Sequence, residues 1–598
     1  MTERQVVAAA VLTALAAMFA VAVPWWLVGV TAVAAAMWQR PGVVVLLLVA
    51  ASSLLAARAE VGVALSGPGR NLTGVASLVT DPELRPGGAV VELRLLGRHY
   101  RAFLSGEQVT ALGDASVGDE VPVVGRTAPM VAPWDWMASR HLAGRLRVRS
   151  IGAWRPGPWW WRSAGWMHRA VAQGAVSFSP DERALFLGVV FGDDRDQSAL
   201  DRYRFRASGL AHLLAVSGQN VAFVIVAARP VMSRLSLRVR WPATGALLLW
   251  FALVTRLEPS VLRAVAMAIV AATAARFGRH ASGVRVVAVA VIALVLVDPM
   301  LVWSTGFRLS VAASVALVVL ARPLLSVLPG RPTPITEALA VSLAAQVGTA
   351  PLIVSISGSV PLAAPLTNLF AVPVAGWLMV WGVVTGPLAG VVGEPWASLL
   401  GWPSRWMVRW VAWVARMGAA PSWPRIGWWG VLATTALVAA ALLGRYRPSL
   451  ARGVVVRVVV ASALVLLVLD LVMIPRLRSE TQRGSVTIWA EGDAAVMLLG
   501  SRSTESKALD AVLAARRARL DVVVVTGGGR TSSAVVYSLR QVVDVGTVVA
   551  ADPPAIRSAR RLRPGAVIAG PVRVDVERDD AGRWTVRGPP GSGRDDPV

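Results

Sequence analysis

Long apolar runs recur along the chain and are separated by shorter polar stretches. A bilayer core about 30 Å thick requires roughly 20 apolar residues of helix. Runs that meet or approach this length cover 6–23, 25–39, 42–57, 208–228, 241–256, 259–277, 284–302, 304–321, 337–356, 427–444 and 453–473. A further stretch, 360–392, is interrupted by four prolines, so we expect two short helices or a re-entrant segment there. The pattern predicts a polytopic α-helical membrane protein with about 11–13 spans.

Two stretches have the pattern of soluble domains instead. Residues 60–155 show strand-like alternation, as in Val90-Val91-Glu92-Leu93-Arg94-Leu95, punctuated by Gly and Pro. Residues 484–575 combine apolar strand-like runs such as 522–525 with a helical segment near 504–519. The expected organisation is N-terminal transmembrane helices (1–58), a β domain (59–155), amphipathic connecting helices (156–207), the main membrane domain (208–475), an α/β domain (484–575) and a disordered tail (576–598).

The composition agrees with a membrane protein and narrows the chemistry. Only 16% of the 598 residues are charged and 55% are hydrophobic, whereas soluble domains have about 25% charged residues. The absence of cysteine excludes disulfides, zinc fingers and thiolate catalysis. The net charge of +25 comes almost wholly from arginine, since Lys507 is the single lysine. This arginine excess is compatible with a nucleic-acid partner and equally with the codon bias of a GC-rich genome.

Arginines in short loops predict the orientation. The loops 229–240, 276–285 and 445–457 each contain several arginines and are expected to be cytoplasmic. Counting spans from these loops places both soluble domains outside the cytoplasm of a multi-pass plasma-membrane protein, provided that 360–392 crosses twice or re-enters. Residues 402–425 would then lie outside as well, although they also contain several arginines.

This exceptional segment has a pattern of its own. On a helix, four tryptophans share one face and three arginines lie on the adjacent face: Trp402, Trp406, Trp410, Trp413 and Arg405, Arg409, Arg416. The favoured interpretation is an interfacial helix that contacts membrane lipids at headgroup level. The alternative is a surface on which bases of single-stranded nucleic acid stack while arginines bind phosphates.

Polar residues inside apolar runs are functional candidates, because ionisable groups are costly in a membrane. A continuous helix over 208–228 would place His212, Val216, Gln219 and Asn220 on one face, with Ser217 beside them. Arg263 and Arg308 lie in or at the ends of later runs. Either these arginines extend to the membrane surface, or they form cationic steps along a path for an anion.

The segment Gly209–Val221 resembles the signature of the ComEC family, the inner-membrane channels that import transforming DNA as a single strand. Three further segments resemble family motifs in the same order. They are Glu258–Met267 (Pro-Ser-x-x-Arg-Ala-x-x-Met), Asp298–Ser310 (Asp-Pro…Gly-Phe-Gln-Leu-Ser, with Arg308 in place of Gln) and Ala364–Pro373 (Pro-x-x-Asn-Leu-x-x-x-Pro). The resemblance implies a DNA path that includes His212, Ser217, Gln219, Asn220, Arg263, Arg308 and Asn368.

The flanking domains resemble those of the family as well. Residues 59–155 look like its external OB-like domain, a type of small barrel that often binds oligonucleotides. Residues 484–575 are similar to its metallo-β-lactamase-like domain, but the metal motif Thr-His-x-Asp-x-Asp-His is replaced by Thr526-Gly527-Gly528-Gly529-Arg530-Thr531-Ser532. The last histidine of the chain is His280, so this domain cannot supply imidazole ligands. We therefore expect no metal site, no cofactor and no nuclease activity, and the chain contains no Walker motif.

The resulting expectation is a plasma-membrane channel that imports single-stranded transforming DNA during natural competence and has no enzymatic activity. The expected partners are single-stranded DNA, membrane lipids, a cytoplasmic motor or helicase, an external DNA receptor and other copies of the chain. Two alternatives remain open. They are a membrane-bound external hydrolase of nucleic acid and a polytopic transporter of another anionic solute.

Overall fold

A computed structural model describes residues 1–19, 28, 41–63, 69–85, 87–130, 132–214, 218–278, 281–446, 454–473, 479–527, 530–553, 556, 558–579 and 584–589. The chain divides into two compact units. The first consists of Met1–Asp196, His212–Val319 and Ala375–Val408, and the second of Gln197–Ala211, Leu320–Val374 and Arg409–Val598. Each unit combines apolar helices with one β-rich domain.

The helices follow one another over most of the membrane part. In chain order they are α1 (Glu3–Phe19), α2 (Pro41–Val63), α3 (Gly106–Leu112), α4 (Trp134–Ala138), α5 (Trp159–Gly174), α6 (Pro180–Phe191), α7 (Ala199–Ser208), α8 (Ala211–Leu214), α9 (Gly218–Met232), α10 (Leu237–Val254), α11 (Pro259–Arg276), α12 (Gly283–Val297), α13 (Thr305–Val327), α14 (Pro334–Ser357), α15 (Ala364–Val392), α16 (Trp396–Gly418), α17 (Trp428–Tyr446), α18 (Val454–Val468), α19 (Glu505–Ala515) and α20 (Arg530–Arg540). A 3₁₀ helix, Pro299–Trp303, follows α12, and a π-helical turn, Leu469–Met473, ends α18.

The strands lie mainly in two regions of the chain. They are β1 (Asn71–Leu78), β2 (Glu83–Arg85), β3 (Gly88–Leu95), β4 (Arg98–Ser105), β5 (Glu120–Ala128), β6 (Leu142–Ile151), β7 (Val360–Pro361), β8 (Arg425–Ile426), β9 (Ser479–Arg483), β10 (Val486–Glu491), β11 (Ala494–Leu499), β12 (Arg519–Val525), β13 (Asp544–Ala550), β14 (Arg560–Arg561), β15 (Gly565–Ala569), β16 (Val572–Arg578) and β17 (Trp584–Arg587).

Six helices of the described part are long and apolar enough to cross a membrane: Gly42–Val61, Pro259–Arg276, Thr305–Val327, Pro334–Ser357, Ala364–Val392 and Trp428–Arg445. The chain is therefore a multi-pass membrane protein, and the runs predicted at 42–57, 259–277, 304–321, 337–356 and 427–444 are confirmed as helices of that kind. The runs 6–23, 241–256, 284–302 and 453–473 contain α1, α10, α12 and α18, which are shorter or less apolar. The run 25–39 lies outside the described residues apart from Val28.

Two predictions about helix continuity are wrong. One stretch that was expected to be broken is continuous, and one that was expected to be continuous is broken. The stretch 360–392 forms one continuous helix from Ala364 to Val392. Pro365 lies in its first turn, where a backbone N–H has no partner within the helix anyway. The run 208–228, expected to be one helix, is interrupted after Ser208, the last residue of α7, and helix resumes at Ala211 in α8. The break begins at Gly209, which has φ +81° and caps α7 in the left-handed conformation.

The first β-rich domain is a closed barrel. Its strands are ordered β1-β5-β6-β4-β3, and β3 pairs back with β1 at Ser77 and Leu78. The pair β4–β6 is parallel and the other neighbouring pairs are antiparallel. Alternate residues such as Val91, Leu93 and Leu104 fill the interior, so the alternation in the sequence correctly indicated this core.

Charged residues attach the barrel to the helices of the first unit. The Asp81 carboxylate accepts hydrogen bonds from Arg256 Nε at 3.0 Å and Nη2 at 3.1 Å, just beyond the end of α10. Burial alone would raise the pKa of Asp81, but the guanidinium groups of Arg256 and Arg195 outweigh it and hold that pKa below its usual value. Beside them, His168 Nε2 donates to the Val254 carbonyl oxygen at 2.6 Å. Burial, followed by the nearby Arg256, lowers the pKa of His168 to about 4.

A second histidine forms a similar attachment with the opposite effect on its pKa. His141 Nε2 lies 3.1 Å from an Asp298 carboxylate oxygen, between the barrel strand β6 and the 3₁₀ helix. The hydrogen bond to Asp298 raises the pKa of His141, although burial opposes the shift. The barrel is thus fixed to helix ends by ionisable pairs.

The second β-rich domain combines one mixed sheet with helices and a small sheet. The six-stranded sheet has the order β14-β13-β12-β11-β10-β9, in which β11 to β14 run parallel. Helices α19 and α20 cover one face with residues such as Leu509 and Val536, and the sheet β15-β16-β17 covers the other. Strand β17 lies within the tail predicted to be disordered. That prediction is wrong for 584–587, because Val586 is buried and pairs with Val576.

The tryptophan-rich segment forms helix α16. Its inner face consists of small or branched residues and is buried: Ala397, Gly401, Ser404, Val408, Val411 and Ala415. Its opposite face exposes Trp402, Trp406 and Trp413, and Arg409 and Arg416 lie along one edge. A helix with separate protein-facing, aromatic and cationic sides fits the membrane interface.

We expect the pH dependence of stability to report on His168. An unfolded histidine has a pKa of about 6.5, so between pH 6.5 and 4 the unfolded chain takes up a proton that the folded chain refuses. Stability contributed by neutral His168 is therefore present above pH 6.5 and falls by about 3 kcal/mol toward pH 4. Thermal unfolding in detergent at several pH values should show less acid destabilisation for His168→Gln, since glutamine can still donate to Val254.

The matched control for this experiment is His141→Gln. Because the pKa of His141 is raised in the fold, its protonated form stabilises the protein at low pH, and that contribution is lost as pH rises through the folded pKa. His141→Gln should therefore increase the acid sensitivity that His168→Gln reduces. Parallel pH profiles for both variants and the native chain would contradict the assignment.

The absence of cysteine allows a direct test of helix α16, because single cysteines can be introduced into an otherwise native chain. In proteoliposomes, a nitroxide attached at Trp406→Cys should be more accessible to oxygen than to a water-soluble nickel chelate. The same label at Arg416→Cys, on the cationic edge of the helix, should show the reverse. Access of the nickel chelate at both sites would favour the nucleic-acid stacking interpretation instead.

Candidate functional site

The predicted path residues fall in both units of the chain. Five of those that the structure describes lie in the first unit, and Asn368 lies in the second: the five are His212, Gln219, Asn220, Arg263 and Arg308. Ser217 lies outside the described residues. The candidate site is therefore described as two separate polar centres, one in each unit.

The turn at Gly209 lies directly before the residues that were predicted to form one polar helical face. A Cβ at Gly209 would lie 2.4 Å from that of Ala364, so the close approach of α15 requires glycine there. His212 lies exposed on α8, whereas Gln219 and Asn220 occupy the first turn of α9. Residues 215–217, between α8 and α9, lie outside the described residues, so the expectation that His212, Gln219 and Asn220 share one helical face stays a prediction.

Arg263 forms the centre of the first polar site. Its residue is 6% exposed, Nε donates to Ser310 Oγ at 2.6 Å, and Nη1 lies 2.8 Å from the Met267 sulfur. A Cβ at Gly218 would come within 2.9 Å of Nη2, so the start of α9 packs directly on the guanidinium. Within the described part of the chain, no carboxylate pairs with this group.

An unpaired guanidinium inside a membrane span has a clear physical consequence. Burying a cation without a counterion costs several kcal/mol, and the neutral hydroxyl of Ser310 offsets only part of that cost. Such a group binds an anion whenever one can reach it. The sequence singled out Arg263 but could not distinguish this buried position from one at which the side chain extends to the membrane surface.

Arg308 occupies a different position. Its Nε donates to the Val302 carbonyl oxygen at 2.7 Å, and its guanidinium lies 5.4 Å from the centre of the Trp303 ring. Ser310, two positions later on α13, faces Arg263, so Arg308 projects from another side of that helix. Arg308 is half-buried and stabilises the turn that begins α13.

The second polar centre lies between α14 and α15. Asn368 Nδ2 donates to Ser342 Oγ at 2.8 Å, while Gln346, one turn further along α14, donates to the Pro361 carbonyl oxygen at 3.1 Å. Among the residues that the structure describes, none donates a hydrogen bond to the buried amide oxygens of Asn368 and Gln346. Buried acceptors in this state indicate places for water or another donor. Sequence reasoning found Asn368 and missed Ser342 and Gln346, although an amide within an apolar run is a detectable signal.

The barrel presents a basic and aromatic surface that the predicted path did not include. The Trp136 ring lies between two guanidinium groups, at 5.0 Å from Arg101 and 5.2 Å from Arg140. In the β4–β6 register, Arg101 pairs with Arg145 and Phe103 pairs with Arg147. Phe103 is 54% exposed, and Arg145 and Arg147 are exposed as well. Aromatic rings interleaved with arginines are typical of surfaces that bind single strands.

The turn after β12 begins the segment Thr526–Ser532, which stands where the metal motif would lie in the sequence. In the described residues, no three histidine, cysteine, aspartate or glutamate side chains are grouped so that they could hold a metal ion. Thr526 and Ser532 instead bond locally to the carbonyl oxygens of Leu499 and Gly527.

Comparisons with known proteins give two matches to the membrane part. Residues 189–448 match the model of the Competence family, described as "Competence protein". A stretch of 243 residues is 26% identical to ComE operon protein 3 from Bacillus subtilis (strain 168) and covers 40% of this chain and 30% of that protein. No solved structure gives a significant match. The two matches support a competence protein, and the part of the chain similar to the Competence family contains every predicted path residue.

Proposed function

We propose that the chain is a plasma-membrane channel that imports single-stranded DNA during natural competence. The observation that carries the proposal is Arg263, a buried arginine without a carboxylate partner in the described residues, in the segment similar to the Competence family. DNA has one negative charge per nucleotide and must cross about 30 Å of hydrocarbon. A guanidinium held by Ser310 can bind a phosphate in passing, and a neutral holder lets the phosphate compete for it.

The remaining path residues have supporting roles in this proposal. Arg308 would provide a second cationic step, and the unpaired amide oxygens at Asn368 and Gln346 would bind water or the donor groups of bases. His212, Ser217, Gln219 and Asn220 would line the part of the path around the start of α9. Few and separated cationic sites favour movement, because a continuous row of arginines would retain the strand.

The barrel is the proposed entry surface. A closed five-stranded barrel with a helix, α3, between its third and fourth long strands supports an OB-like fold. We infer that the exposed Phe103 ring stacks with bases while Arg145 and Arg147 bind phosphates, and that Trp136 holds Arg101 and Arg140 in place beside them. Both soluble domains are proposed to lie outside the cytoplasm, where DNA arrives.

The proposed channel has no catalytic activity of its own. The C-terminal domain is proposed to be metallo-β-lactamase-like in its layered sheet but without the ligands needed to activate water. Energy and substrate would then come from partners, namely a cytoplasmic motor or helicase and an external DNA receptor, and other copies of the chain would help to enclose the strand. The hydrolase and anion-transporter alternatives predict different outcomes in the experiments below.

Arg263→Met separates a functional arginine from a structural one. Methionine fills the space beside Met267 without a charge, so we expect an unchanged or higher unfolding temperature in detergent. Loss of one charge-assisted phosphate contact should reduce transformation frequency in the native host by roughly 10- to 100-fold. Arg276→Met, which removes an exposed charge from the last turn of the same helix, is the matched control and should transform normally.

Two results would count against this proposal. Normal transformation after deletion of the whole gene would remove the DNA-uptake function. If Arg263→Met lowers the unfolding temperature as well as the transformation frequency, the arginine has a structural role.

The purified full-length chain should not cleave DNA. Labelled single- and double-stranded DNA incubated with the protein and Mn²⁺ or Zn²⁺ should remain intact, because no histidine follows His280 and no metal-binding group is found in the described residues. Parallel reactions with EDTA are the control. Cleavage that depends on added metal and increases with protein concentration would favour the external hydrolase instead.

A further inference from the structure

The C-terminal domain shares a hydrophobic core with helices outside it. Tyr203 and Ala207 of α7, and Ala419 just after α16, are buried in the same cluster as Leu509 and Val512 of α19. Leu513 belongs to this cluster too. Helix α19 therefore does not form the outer surface of the domain, since part of it is covered by the membrane half of the second unit.

A buried ion pair lies at the end of α19. Arg516 caps this helix in the left-handed conformation, with φ +55°. Its Nη2 donates to Asp470 Oδ2 at 3.1 Å and also to the backbone carbonyl oxygens of Arg425 and Asp470. Asp470 is 1% exposed and also accepts a hydrogen bond from the Gly427 backbone N–H at 2.7 Å.

This pair joins three separate parts of the chain. Asp470 lies in the π-helical turn after α18, Arg425 and Gly427 immediately precede α17, and Arg516 belongs to the C-terminal domain. Satisfying both charges requires all three segments to be in place, because removing one partner leaves the other buried and unpaired. The pair therefore couples the position of two membrane helices to the folded state of the domain.

The same helix makes further polar contacts with the membrane half. The hydroxyl of Ser359, just after α14, donates to the Leu513 carbonyl oxygen at 3.1 Å. Arg206 of α7 forms an ion pair with Asp510. Helix α7 ends at Gly209, directly before the polar segment that begins at His212. The contacts of α19 thus reach the ends of α7, α14, α17 and α18.

We propose that α19 is a structural clamp and that the C-terminal domain holds the ends of these four helices in a fixed arrangement. Arg516 is the positioning residue of the clamp. Without metal ligands, the domain keeps its place in the chain because the membrane half needs its helix α19. The link between the clamp and DNA uptake rests on the proposed function, whereas the mechanical coupling does not.

The first experiment measures this coupling in the full-length protein in detergent. Arg516→Met should lower the unfolding temperature by several degrees and make the C-terminal domain and the α14–α17 region sensitive to protease together. Arg519→Met, three residues away and in an exposed ion pair with Asp521, is the matched control and should behave like the native chain. The double variant Asp470→Asn/Arg516→Met, which removes both charges, should recover part of the loss.

A disulfide provides a second, independent test because the native chain has no cysteine. A Cβ at Gly358 would lie 3.4 Å from that of Ala514, close to the spacing in disulfides. Gly358→Cys/Ala514→Cys should form a disulfide under oxidation. Where Arg516→Met reduces transformation, adding the disulfide to that variant should restore transformation until a reductant is added. The single Gly358→Cys variant controls for strain at a residue with φ +80°.

The outcomes separate the clamp from the proposed function. If Arg516→Met exposes only the C-terminal domain to protease and leaves the unfolding temperature of the membrane half unchanged, the clamp is refuted whatever happens to DNA uptake. If coupled unfolding is observed but deletion of the gene leaves transformation normal, the clamp stands and the DNA channel is refuted. Restoration by the disulfide would show that the clamp acts by holding the helices.

Discussion

The need to compensate buried charge organises this protein. Where a charge is structural, a partner accompanies it: Asp81 has Arg256, and Asp470 has Arg516. Each of these pairs joins a β-rich domain to helix ends within its own unit, where two charges can meet away from both bulk water and lipid. Arg263 differs, because it is equally enclosed but has only neutral neighbours in the described residues. The contrast, more than burial itself, distinguishes a group that supports the fold from one available to a ligand.

The two β-rich domains satisfy the same constraint in different ways. The barrel is attached through polar side chains at its surface, namely Asp81, which binds Arg256, and His141, which binds Asp298. The basic residues of its strands β4 and β6 remain exposed. The C-terminal domain is attached through a hydrophobic core, in which α19 packs both on its own sheet and on residues of the neighbouring helices. Both attachments also bury apolar residues, since Ala138 of the barrel lies in one cluster with Val287 and Met300, as Tyr203 lies in one cluster with Leu509. Opening either attachment would therefore break polar contacts and uncover apolar surface.

Much of the architecture follows from local pattern, and the rest depends on tertiary contacts. Runs such as 259–277 and 337–356 predict their helices because only length and apolarity matter there. The glycine at position 209 is a local signal for a helix end, but the close approach of Ala364, more than 150 residues away in the chain, cannot be seen in the local sequence. The continuous α15 shows the converse, since its prolines suggested breaks that the surrounding packing overrides. At the site, residue types identified Arg263 and Asn368. Only packing shows that Arg263 contacts the neutral groups of Ser310 and Met267, and that the Asn368 amide oxygen is buried without a donor in the described residues.

In the C-terminal domain, the contacts with the membrane half lie apart from the turn after β12. The sheet is held by apolar strands such as Val522–Val525, and side chains in a surface turn contribute little to such a core. The contacts of Arg516 and Leu513 lie at the opposite side of the crossover, at the end of α19. The contacts of α19 with the membrane half therefore do not depend on the side chains of that turn.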